Sequence, residues 1–154
     1  MPNLFDPAGA DALIARVEAL TPDSQPQWGT MSVGQMLAHC SVPFEQVYDP
    51  TYTDRHPRPN ALARMLIRLV AKQTVVGPRP YRRNMRTAPQ FIITGERDVA
   101  EEQQRLAGYI RRAQQEGAAA FEGREAHAFG PLTAAEWGTL FTKHTDHHLT
   151  QFGV

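Results

Sequence analysis

Apolar residues recur in this chain at intervals of three and four, in blocks closed off by proline and glycine. That period belongs to one face of a helix and not to a strand, and it leaves room for little but a helical bundle. The first block runs from about Ala8 to Leu20, with Leu13, Ile14, Val17 and Leu20 on one face. It stops at Thr21-Pro22, because proline disfavours helix in the residue before it. The second starts near Ser32, where Ser32-x-x-Gln35 reads as a capping box, and carries Val33, Met36, Leu37, Cys40, Phe44 and Val47. Pro43 lies inside it, so this helix is either kinked or shorter than its pattern. A third block, Asn60 to about Val75, holds Leu62, Met65, Leu66, Ile67, Leu69 and Val70 between proline-rich loops and reads as an inserted or crossing helix. A basic loop, Arg79 to Arg86, and a short extended piece, Phe91 to Thr94, follow. The fourth helix is expected from Asp98, a good N-cap, to about Gln115, with Glu101 and Glu102 at its start and Arg111 and Arg112 near its end, as the helix dipole favours. The fifth opens on a second capping box, Thr133-x-x-Glu136, and runs to about Phe152. The expected fold is all-α: a four-helix bundle with the Asn60 helix as an excursion between the second and third core helices.

The bulk properties narrow the function classes. A length of 154 residues points to a single domain over 1–154, large enough to bury a core without disulfides. The 16 basic and 16 acidic residues cancel, which argues against nucleic acid as a partner. The single Cys40 excludes an internal disulfide and fits a cytoplasmic setting. The opening run Met1-Pro2-Asn3-Leu4-Phe5-Asp6 has no basic leader, so no signal peptide is expected, and no apolar stretch reaches membrane-spanning length.

Chemistry concentrates in the histidines. Three of the six fall in His144-Thr-Asp-His147-His148. On a helix His148 stands about 40° from His144, one turn away on the same face. Trp137, Leu140, Phe141 and Gln151 share that sector, so the pair points into the bundle, a spacing that lets two imidazoles grip one metal ion. His147 falls on the shoulder of the stripe and Asp146 points outward. The best third candidate is His39, at the margin of the second helix's apolar stripe, where either a ligand or a surface histidine would look the same. Cys40 is expected to pack as a small hydrophobe. Gln35, Gln46 and Gln151 are each either an orienting partner or a surface amide. The Arg79–Arg86 loop reads as solvated and not as a carboxylate cradle; His56 and His127 also read as solvated, and Trp28 and Trp137 as core or cavity wall.

Trp28 with Ser32-Val-Gly-Gln-Met-Leu-Ala-His39, and His144-x-x-His147-His148-x-x-Gln151, resemble two signatures of the DinB-like superfamily. Gly130-Pro-Leu-Thr133-x-x-Glu136-Trp137 and Lys143 to Phe152 are closer still to an uncharacterised branch of it. The resemblance implies a four-helix bundle and a three-histidine metal site on His39, His144 and His148. It also implies a small-molecule substrate, a low-molecular-weight thiol cosubstrate for S-transfer, and a homodimer. The imidazole donors fit zinc or nickel. Metal-dependent hydrolysis and non-catalytic binding of a metal or small ligand are the alternatives. No glutamate follows the first histidine of the pair as in helical metalloproteases, which favours thiol activation over hydrolysis.

Overall fold

The computed structural model describes residues 3–154, so two residues of the expected 1–154 unit, and part of the opening run, lie outside the described residues. Six α-helices follow in order: α1 (Pro7–Glu18), α2 (Val33–Tyr48), a one-turn α3 (Tyr52–Arg55), α4 (Ala61–Val76), α5 (Val99–Glu116) and α6 (Ala134–Gln151). α1, α2, α5 and α6 form a four-helix bundle in which α5 packs on α1 and α2, and α6 on the same two. The fold is the all-α bundle read from the periodicity. α4 lies outside the bundle, applied chiefly to α6.

Both capping boxes form. Ser32 accepts from the Gln35 backbone N–H and Gln35 returns the bond, and Thr133 and Glu136 do the same for α6. Asn60 and Asp98 cap α4 and α5 through their side chains. α2 is not cut short by Pro43 but runs on to Tyr48. The absent proline N–H leaves the His39 carbonyl, four residues back, without its helical donor.

The core is aromatic at one end. Phe44 of α2 stacks on Phe141 of α6 with ring centroids 4.3 Å apart, and Phe121 and Trp137 close around Phe141. All four are fully buried, and such side chains contribute about 1.5–3 kcal/mol each through burial. The backbone N–H of Leu4 donates to Thr142 Oγ1 at 2.9 Å, fastening the start of the chain to α6.

The structure adjusts local details of the sequence reading. The extended piece expected over Phe91–Thr94 begins one residue later: Pro89–Phe91 forms a 3-10 turn, because proline at its first position sets the helical φ there, and Ile92 is extended. A two-residue antiparallel ladder, Glu125–Ala126 with Gly130–Pro131, joins α5 to α6 and has too short a pattern to read from sequence. His127, in the turn of that ladder, is buried and not solvated. The hairpin tucks its ring edge-on to Tyr52, at 5.2 Å, and burial lowers its pKa. His56 is also half-buried against Tyr52.

Candidate metal centre

α2 and α6 run side by side, and the inward faces of both end in imidazole. His39, His144 and His148 each present one ring nitrogen to a common point, all within 4.8 Å of one another. His39 and His144 are buried; His148 is half-buried at the rim. His147 is outside the cluster, with its ring edge-on to Trp28 and Tyr81 at 5.8 and 5.5 Å.

Hydrogen bonds fix two of the three tautomers. His39 Nδ1 lies 2.8 Å from the Phe91 carbonyl oxygen, which only accepts, so Nδ1 carries the hydrogen and Nε2 keeps its lone pair. His148 Nδ1 donates to Gln151 Oε1 at 2.7 Å, while Gln151 Nε2 donates to the Trp28 carbonyl at 2.6 Å. That second bond sets the amide's orientation. His144 Nε2 stands 3.0 Å from His39 Nε2, and its Nδ1 is buried with no partner among the described residues. Because His39 Nε2 keeps its lone pair, His144 Nε2 carries the hydrogen between them when nothing else bridges the two, and that hydrogen must leave before an ion can take this nitrogen.

Burial keeps all three rings neutral. It lowers the pKa of His39 and takes His144 well below the ordinary value. His148 falls to about 3, through burial first and the neighbouring His39 second. Neutral imidazoles with lone pairs turned inward are the form that binds a metal ion. The pattern in which a histidine's remote N–H is held by a carbonyl or amide oxygen is also that of metal-bound histidine. The residues therefore fit a divalent cation.

The segment after α4 packs around the cluster. Phe91 sets its ring edge toward His39 and His144, and Tyr81 toward His144 and His147. Arg83 lies over Trp28, its guanidinium carbon 4.2 Å from the ring centre. The basic loop is thus exposed yet partly docked. Its base is held by Lys143, which donates to the carbonyls of Thr74, Gly77 and Arg79 at 2.8, 2.6 and 3.1 Å and lies 4.5 Å from the Tyr81 ring centre.

The chain matches the family model described as Protein of unknown function (DUF1569) over residues 5–153. It belongs to the DUF1569 family. No curated protein and no solved structure matches it. The family description assigns this DUF1569 member no chemistry, so the function is argued from the site.

Of the three candidate glutamines, only Gln151 reaches a histidine. Gln35 closes its capping box and donates to the Gly95 carbonyl, and Gln46 donates to Tyr52 Oη. Gln151 can approach because Gly29 is left-handed (φ +81°): a Cβ there would lie 2.6 Å from its Nε2. Cys40 is fully buried, and burial pushes its thiol pKa up, which removes it as a nucleophile. Sequence reasoning missed the Phe91 carbonyl and Lys143. A backbone acceptor has no sequence signal. Lys143 had one, as a cation beside the inward face of an apolar helix.

Proposed function

We propose that His39, His144 and His148 hold a divalent first-row cation, zinc or nickel, and that the chain is a metal-dependent enzyme of DinB-like type. Its reaction would be the transfer of a low-molecular-weight thiol to an electrophilic small molecule. The observation that carries this reading is the convergence of three neutral ring nitrogens with two remote N–H groups already tied to oxygen acceptors. Three neutral ligands with an open position are the arrangement of catalytic rather than structural sites. An ion bound there would supply Lewis acidity, lowering the pKa of a thiol in the open position. The chain's own groups do the remaining work. The Phe91 carbonyl and Gln151 hold two ligands in orientation, while Trp28, Tyr81 and Phe91 set aromatic rings against the histidines. In the transfer a sulfur–carbon bond forms, the thiol proton passes to solvent, and the electrophile either loses its leaving group or takes up a proton.

Hydrolysis is the weaker alternative, because no carboxylate among the described residues is hydrogen-bonded to the three histidines. A non-catalytic binding bundle is the second reading, and the two part at turnover. Metal analysis of the purified chain is expected to give one first-row ion per molecule, and His144→Ala to lose it. Full occupancy in His144→Ala would reject the site. With metal present, a panel of thiols and electrophiles is expected to show turnover above that of free metal; none across the panel would favour binding alone.

A further inference from the structure

Neutral overall charge conceals a strong local imbalance. Between Asp54 and Glu96 the sequence has no acidic residue and nine of its 16 basic ones. This stretch contains α4, the helix outside the bundle. α4 turns Arg64 and Lys72 toward Glu125 and Glu136, at 3.7 and 2.6 Å. Its opposite side is an apolar stripe, Leu62, Met65, Leu66, Leu69 and Val70, with Leu69 74% and Val70 80% exposed. The five residues follow the spacing of a single helix face.

The C-terminal end of the stripe leads into a groove of about 700 Å³, lined by Gln73, Thr74, Arg79, Arg82 and Met85 among others. Arg79, Arg82, Arg83 and Arg86 are exposed, and none forms an ion pair among the described residues. From this charge and shape we infer that α4 and the loop behind it dock on an anionic lipid bilayer. The Leu62–Val70 stripe enters the headgroup boundary, and Arg79 and Arg82 meet lipid phosphates.

The expectation of no membrane rested on spanning length, and no helix among the described residues is long and apolar enough to cross one. Lying in the interface needs only an apolar face bordered by cations. A second copy is a poorer occupant, since it would cover the stripe but offer no counter-charge to the four unpaired arginines, which an anionic surface supplies. A protein partner would be expected to find an aromatic anchor or an apolar cleft; the stripe has neither and stands proud on a helix.

The test is co-sedimentation with phosphatidylcholine vesicles, with and without phosphatidylglycerol. Binding is expected only to the anionic vesicles and is expected to weaken with salt. Leu66→Glu/Leu69→Glu and Arg82→Glu/Arg86→Glu are each expected to reduce it at least about tenfold. All four side chains are exposed, and circular dichroism checks that the bundle persists. No binding to anionic vesicles, or binding unchanged in Leu66→Glu/Leu69→Glu, would overturn the inference. So would a dimer in sedimentation equilibrium that this variant dissociates, which would assign the face to a second copy.

Discussion

At the scale of the residue, the cluster depends on atoms other than its three nitrogens. Gln151 holds His148 by one end of its amide and the Trp28 carbonyl by the other. Gln151→Ala is expected to lower metal affinity about 10- to 100-fold, the usual cost of losing the group that orients a ligand, as read by competition with a chelating dye. pH acts on the same rings. Each binds its proton less readily in the folded chain than in the unfolded one, where a histidine titrates near ~6.5. The unfolded state therefore holds more protons below that value, and stability must fall as pH falls. For the metal-free chain, urea midpoints are expected to decline from about pH 6.5 downward, the His148 contribution persisting toward its folded pKa of about 3. His148→Gln should flatten that decline; an unchanged profile would remove His148 as its source.

What could be read from the sequence divides along the same line between side chain and environment. The inward direction of His144 and His148 follows from four-residue spacing on an amphipathic helix, and both rings do point at one place. His39 stood at the edge of its stripe, and only the resemblance favoured it over a surface role. It is buried because the Pro89–Phe91 turn folds across it, an event over fifty residues away in the chain. Among the glutamines nothing in local pattern separated Gln151 from Gln35 and Gln46; what separates them is the close approach at Gly29.

At the scale of the element, α4 and its following loop are the piece that periodicity described least well. The pattern carried the length of the helix but not its destination, since an amphipathic stripe looks the same whether it faces a core or the outside. In α4 it faces outward, and the helix is held to the bundle from its other side, by Val76 in the core, by the Lys72–Glu136 ion pair and by Lys143. Lys143 caps the free carbonyls at the end of α4, where a cation also suits the helix dipole. Lys143→Met keeps the apolar stem and removes three donors. It is expected to cost about 1–3 kcal/mol and to raise amide hydrogen exchange across residues 77–91, while α1 and α5 exchange as before. Unchanged exchange in 77–91 would mean that the loop is held by its aromatic contacts alone.

At the scale of the whole molecule, the three histidines join segments far apart in the chain. His39 and His144 are 105 residues apart and meet only when α2 and α6 are packed. An ion bound to all three recognises the folded chain and not the unfolded one, so occupancy must appear as stability. At a free metal concentration about 100 times Kd the gain is about 2.7 kcal/mol, or roughly 5–10 °C in Tm for a chain of this size. Differential scanning fluorimetry with zinc and nickel, then with a chelator, measures it. A similar rise in His144→Ala would place the binding elsewhere.

The Gln151 amide has a mechanical side as well. Its backbone carbonyl accepts from the Gln27 N–H at 2.7 Å, so the stretch carrying Trp28 is latched twice to the residue that steers His148. The position of Trp28 and the aim of His148 are one linkage. If the cluster holds an ion as proposed, any displacement of the Trp28 segment would free the amide that aims His148 and so weaken its hold on that ion. Ion exchange would then follow the motion of a segment that ligates nothing.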